Sequence, residues 1–137
     1  MSATFNAVIL SELSAVKPVI NEALSFVHSF FPELSHEEKF EFKLILSELI
    51  VNAIVHGNDS DPGKKVSLRV SVDEGLIEAV IADEGSGFDY LGYFKNMTCD
   101  TLQASGRGLL IASRLARLEF NDCGNSVMFC RKVGLNV

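Results

Sequence analysis

Apolar and polar positions alternate most regularly where Val66, Leu68, Val70 and Val72 are separated by Ser67, Arg69 and Ser71. A period of two predicts a strand with one buried face. Asp73-Glu74-Gly75 then reads as a hairpin turn, and Leu76 to Ala82 as the returning strand. Upstream, Phe5 to Leu10 is a short apolar run suited to a strand. Helical spacing follows from Ser14 or Lys17, with Pro18 in the first turn and Val19, Ile20, Leu24, Val27 and Phe31 recurring on one side until Phe31-Pro32 stops it. Ser35 and Glu38 have the spacing of a capping box and open a second helix, whose apolar positions are Phe40, Leu44, Ile45, Leu49 and Ile54. That helix is expected to reach about His56, with Gly57 as its stop.

Asn58 to Gly63 is polar turn sequence. From Gly85 to Gly108 the chain is glycine-rich and polar with scattered aromatics, too long for a simple connection and therefore a candidate functional loop. Leu109 to Leu118 reads as a helix. Leu118 to Asn121 and Ser126 to Lys132 read as strands around the turn Cys123-Gly124-Asn125. Strands and helices without regular βαβ alternation predict an α+β two-layer sandwich, a mostly antiparallel sheet with its helices on one face.

The chain has 137 residues, of which 47% are apolar and 22% charged, the amount and composition of one globular domain spanning residues 1–137. Its 12 Lys+Arg against 18 Asp+Glu, with no basic run, argue against binding nucleic acid through the phosphate backbone. Cys99, Cys123 and Cys130 are too few and too unevenly spaced for a disulfide framework or a C-x2-C zinc site, and read as reduced thiols. The start, Met1-Ser2-Ala3-Thr4-Phe5, lacks the charge and long apolar stretch of a signal peptide, and no apolar run approaches the roughly 18 residues of a membrane span. A cytoplasmic location without membrane contact is the expectation.

Three segments break local rules that a purely structural element would keep. In Glu48-Leu49-Ile50-Val51-Asn52-Ala53-Ile54-Val55-His56-Gly57-Asn58, the polar residues Glu48, Asn52 and His56 recur every fourth position and form one stripe among apolar neighbours. A carboxylate and an amide one turn apart suit a hydrated Mg²⁺ and the activation of a hydroxyl; they equally suit a solvated helix face, and His56 suits the dipole at a helix end. Asp83-Glu84-Gly85-Ser86-Gly87-Phe88 leaves a strand. There Asp83 can accept from an exocyclic amine such as adenine N6, while Gly85 and Gly87 permit positive φ and close approach to a flat ring; a plain glycine turn is the alternative. Ser105-Gly106-Arg107-Gly108-Leu109-Leu110-Ile111 is a glycine-rich turn opening a helix, a place where exposed N–H groups bind phosphate, with Arg107 able to add charge. It is neither a Walker A loop nor the dinucleotide fingerprint.

Taken in order, Glu-x3-Asn, Asp-x-Gly-x-Gly and Gly-x-Gly resemble the three nucleotide-binding boxes of the GHKL ATPase superfamily. The wording Ser-Glu-Leu-Ile-Val-Asn-Ala-Ile-Val-His-Gly from Ser47, Asp-Glu-Gly-Ser-Gly-Phe-Asp from Asp83, and Ser-Gly-Arg-Gly-Leu-Leu-Ile followed by Leu118-Glu119-Phe120-Asn121 is similar to that of the anti-sigma factor serine kinases over nearly the whole chain. The resemblance implies that Asn52 ligates Mg²⁺ bridging the ATP phosphates and that Glu48 is the general base toward a substrate serine. It further implies that Asp83 binds adenine N6, that Gly85 and Gly87 shape the adenine pocket, and that Gly106, Arg107 and Gly108 cradle phosphates. The resemblance also implies that Asp89 to Gln103 is the ATP lid, with Lys95 a phosphate contact. Where the family often has proline after the Gly-Phe-Asp wording, this chain has Tyr90, and Leu91 to Phe94 make the lid unusually aromatic.

The implied function is an ATP- and Mg²⁺-dependent serine kinase that phosphorylates an anti-anti-sigma protein and sequesters a sigma factor. The alternative is a nucleotide-responsive module that captures its partner with little or no phosphate transfer. The resemblance also implies a homodimer. Val8, Ile9, Leu10 and Leu13 suit such an interface and suit a core strand equally.

Overall fold

The computed structural model describes residues 2–87 and 104–133, those from 104 to 109 by their backbone. Strand β1 spans Ser2–Leu10, followed by a 3-10 turn Leu13–Ala15, helix α1 Val16–Phe30 and helix α2 His36–Asn52. A π turn, Ala53–Gly57, leads to β2 Lys65–Asp73 and β3 Leu76–Ala82; α3 Ala104–Leu115, β4 Arg117–Phe120 and β5 Ser126–Lys132 complete the described elements. Among the described residues five strands form one sheet in the order β1-β2-β3-β5-β4. Every neighbouring pair is antiparallel. The α+β sandwich expected from the sequence is the architecture observed.

The period of two explains the layering. Val66, Leu68, Val70 and Val72 of β2, Ile77, Ala79 and Ile81 of β3, and Val127 and Phe129 of β5 all point into one core, which also takes Ile45, Leu46, Leu49 and Ile50 of α2. Burying aliphatic side chains of this size stabilises the fold by about 1.5–3 kcal/mol apiece. Phe42 of α2 meets Phe129 of β5 with ring centroids 6.1 Å apart, and Phe26 of α1 meets Phe5 of β1 at 5.8 Å. Between β2 and β3, Asp73 still pairs with Leu76, so the turn is the two residues Glu74 and Gly75. Their φ values of 45° and 81° are the left-handed pair that matches the twist of a hairpin.

Ser35 caps α2 as expected: its hydroxyl accepts from the Glu38 N–H at 3.0 Å, and the Ser35 N–H donates to the Glu38 carboxylate at 3.2 Å. Three expectations are corrected. The α-helical part of α2 ends at Asn52 and continues as the π turn, so Gly57 is no left-handed stop; the left-handed residues are Asp59 and Ser60. Helix α3 begins at Ala104, five residues before the expected Leu109. The apolar pattern of α2 divides, Ile45, Leu49 and Ile54 being buried while Phe40 is exposed and Leu44 only half-buried.

Candidate functional site

Asn52 is the last α-helical residue of α2, one turn beyond Glu48 and about 6 Å further along the axis, and both side chains are half-buried. The π turn that follows rotates the chain less per residue than an α-helix. The even stripe read from the sequence therefore breaks after Asn52, and His56 lies exposed and off it. Glu48 and Asn52 remain as the pair.

Asp83 follows β3 directly. Its N–H donates to the Asn125 carbonyl at 2.9 Å, one step past the β3–β5 ladder, and its carboxylate accepts from the Gly85 N–H at 2.8 Å. The carboxylate lies over Gly57 so closely that a Cβ there would run into it. Likewise a Cβ on Gly85 would meet the Gly57 carbonyl, and one on Gly87 the Cys123 carbonyl. Gly87 has the expected positive φ, 116°; Gly85 does not, and is required by the closeness of two backbones instead. Asn52 and Asp83 line one slot together with Leu49, Ala53, Ile81 and the β4–β5 corner around Gly124 and Asn125. At about 10 Å³ it holds roughly one water molecule.

The residue that closes the Glu48 segment and opens the polar turn organises this corner. Asn58 is fully buried. Its amide Nδ2 donates to Ser11 Oγ at 2.9 Å and to the Lys65 carbonyl at 3.0 Å, and its Oδ1 accepts from the Glu84 N–H at 2.8 Å. Glu84 returns the link by accepting from the Lys65 N–H at 2.6 Å, and Ser11 Oγ donates to the Lys64 carbonyl at 2.7 Å. The ends of β1 and the π turn, the start of β2 and the segment after Asp83 are thereby tied together. The π turn sets the inward placement, since Asn58 N–H reaches back to the Ala53 carbonyl at 2.8 Å. The one signal for this in the sequence is an asparagine directly after the glycine expected to end the helix.

Burial pushes the Asp83 carboxyl above its ordinary value; the Gly85 N–H and the charge of Lys64 pull the other way. A carboxyl raised on folding contributes most to stability while protonated, below the ordinary carboxyl range, and that contribution is lost as pH rises through the raised value. The ionised form, the better acceptor for an exocyclic amine, exists only above it. If this carboxylate holds a ligand's amine, affinity for that ligand is expected to fall on acidification, starting at a higher pH than an unperturbed aspartate allows, and Asp83→Asn is expected to bind weakly without that step. Titration calorimetry at a series of pH values checks both; an identical pH profile in the variant assigns the step to another group.

Gly106, Arg107 and Gly108 lie inside the first five residues of α3 rather than in a turn before it. The first N–H groups of a helix have no partner within it, which here means Ala104 to Gly106, with Arg107 and Gly108 already inside the ladder. Helix α3 packs against α2, the helix that carries Glu48 and Asn52. The Arg107 side chain, Phe88, the Asp89 to Gln103 interval with Lys95, the aromatic stretch Tyr90 to Phe94, and Cys99 lie outside the described residues.

Among the described residues no three His, Cys, Asp or Glu side chains are grouped as a metal cage, and no helix is long and apolar enough to cross a membrane. Among the donors in the slot, the Asn52 amide oxygen is a hard ligand of the kind that holds Mg²⁺ together with a substrate's phosphates.

Residues 10–130 match the histidine kinase-like ATPase domain. An anti-sigma F factor of Priestia megaterium is 35% identical over 115 residues, 79% of this chain and 77% of that protein. The serine-protein kinase RsbW of Bacillus subtilis is 34% identical over 88 residues, 59% of this chain and 55% of that protein. An anti-sigma F factor of Geobacillus kaustophilus is 32% identical, the match covering 64% of this chain and 60% of the relative. The chain thus spans little more than half the length of several relatives it matches. The histidine kinase domain of the Erythrobacter litoralis blue-light activated histidine kinase has the same fold, with a TM-score of 0.55 at 19% identity, over 88% of this chain and 61% of that one. By the match over residues 10–130, this chain belongs to the family of histidine kinase-like ATPase domains.

Proposed function

We infer that the chain is an ATP- and Mg²⁺-dependent protein serine/threonine kinase that phosphorylates an anti-anti-sigma protein and also captures a sigma factor. The observation that carries this reading is the convergence of Asn52, one helical turn from Glu48, and Asp83 on a single slot. Relatives called anti-sigma F factor and serine-protein kinase support it.

Asn52 would hold Mg²⁺ through its amide oxygen, and the ion would supply charge neutralisation across the phosphates. The Asp83 carboxylate would take the adenine amine, and the free N–H groups at the start of α3 would face the phosphates. Glu48 accepts the proton of the substrate serine as its oxygen bonds to the γ-phosphorus. The bond from that phosphorus to the bridging oxygen breaks, and ADP departs with the electron pair. Backbone N–H groups and Mg²⁺ would offset much of the nucleotide's charge. Admitting a purine widens the slot, which the β4–β5 corner at Gly124 and Asn125 borders. A homodimer forms part of this reading, supported by Val8 and Leu10, which stand exposed on the sheet's edge strand β1.

Incubation with γ-labelled ATP, Mg²⁺ and an anti-anti-sigma protein tests the proposal. Label on a serine or threonine of that protein is the expected result. Tight capture of a sigma factor with no label transferred would leave a nucleotide-responsive binding module in place of a kinase.

A further inference from the structure

A helix lying on a sheet needs one apolar face, and α2 has two. Phe42, Ile45, Leu46, Leu49 and Ile50 face the sheet and are buried. On the opposite side Phe40, Leu44, Ser47 and Val51 recur at i, i+4, i+7 and i+11, the spacing of a helix–helix seam. Leu13, Lys17, Ile20 and Leu24 repeat that spacing along the turn before α1 and α1 itself. These two stripes form the walls of a groove of about 890 Å³. Phe40 is 65% exposed and Leu13 60% exposed on its lips. Among the described residues nothing covers it.

The charge of the groove opposes that of the chain. Lys17, Lys39 and Lys43 line it, and no Asp or Glu does, although acidic residues outnumber basic ones overall. Among the described residues none of the three lysines has a carboxylate at ion-pair distance. Their methylene stems extend the apolar wall and leave the ammonium groups at the rim. A second copy of this chain seated symmetrically over the same groove would bring the two sets of lysines together, which disfavours self-association there.

We propose that the α1–α2 groove docks an acidic amphipathic helix of a partner protein, about eleven residues or three turns of it, as the third member of a helical seam. The two wall stripes set the occupant's apolar spacing, and the lysine rim selects acidic residues flanking its apolar face. Around α2 the groove stripe lies roughly 90° from Glu48 and Asn52, so docking does not use the nucleotide slot.

Fluorescence anisotropy on the full chain tests the assignment. The probe is a labelled helical peptide of roughly fourteen residues, with leucines at i, i+3, i+4 and i+7 and glutamates elsewhere. Binding is expected to weaken as salt rises, and to weaken at least about tenfold for a peptide of the same composition with scrambled spacing. The double variant Lys39→Glu, Lys43→Glu should lose the acidic peptide by at least about tenfold and gain a counterpart in which lysine replaces every glutamate. Asn52→Ala should bind as the parent does, so loss of the nucleotide reading leaves this result standing. No binding, equal binding of the scrambled peptide, or an acidic-peptide affinity unaffected by charge reversal each overturns the proposal. So does a dimer in sedimentation that Phe40→Ser dissociates, since a second copy would then be the occupant.

Discussion

Replacing Glu48 by Gln is expected to slow phosphate transfer by about a thousandfold while leaving ATP affinity within about twofold, whereas Asn52→Ala is expected to remove measurable ATP binding. The two side chains stand one turn apart on the same half-buried helix face, but the chemistry assigned to them differs. A general base acts only as the serine proton moves, so its loss appears in the transfer rate and not in the ground-state complex. In the proposed reading the Asn52 amide would hold Mg²⁺, so its loss is expected to remove the nucleotide complex itself. Titration calorimetry with Mg-ATP and single-turnover transfer measured on both variants separate these effects. Transfer at the parental rate in Glu48→Gln would remove Glu48 as the base. Affinity falling in step with transfer in that variant would instead place the carboxylate in nucleotide binding.

Asn58→Ala is expected to lower the stability of the fold by about 3 kcal/mol, and Ser11→Ala by about 1 kcal/mol. Asn58 is fully buried and satisfies three groups at once, the Lys65 carbonyl, the Ser11 hydroxyl and the Glu84 N–H. Truncation leaves all three without that partner in a place water reaches poorly, and each orphaned group costs about 1–3 kcal/mol, partly relieved by relaxation. Ser11→Ala removes one branch, and the other hydrogen bonds of Asn58 persist. Urea denaturation, read as a shift in midpoint at unchanged slope, measures the difference. The same substitution is expected to blunt discrimination between ATP and GTP, because Glu84 is the neighbour of Asp83 and its N–H is held by the Asn58 side chain. Equal midpoints for Asn58→Ala and Ser11→Ala would show that the corner is anchored elsewhere.

The elements read correctly from the sequence are those whose determinants are local. Alternation in β2, the Glu74-Gly75 turn and the Ser35–Glu38 capping box each depend on residues a few positions apart. The pairing of Glu48 with Asn52 and the placement of Asp83 at a strand end were legible for the same reason: helical and strand periods alone decide them. The start of helix α3 is not legible in the sequence, because two glycines within five residues argue against a helical start and packing on α2 overrides that weak preference. The π turn had no periodic signature, so both the exclusion of His56 from the stripe and the burial of Asn58 were hidden.

By itself the sequence determined the two-layer plan, the strand hairpin, the capped helix and the residue types offered for nucleotide chemistry, since all of these follow from short-range geometry and from which side chains avoid water. Tertiary structure alone decided that Asn58 joins segments near residues 11, 65 and 84, that Gly57 and Gly85 are demanded by contact between two backbones, and that the apolar positions of α2 belong to two opposite faces. Hydrogen bonds and close approaches between residues far apart along the chain leave no local trace in it. They exist only once the sheet has brought those residues together.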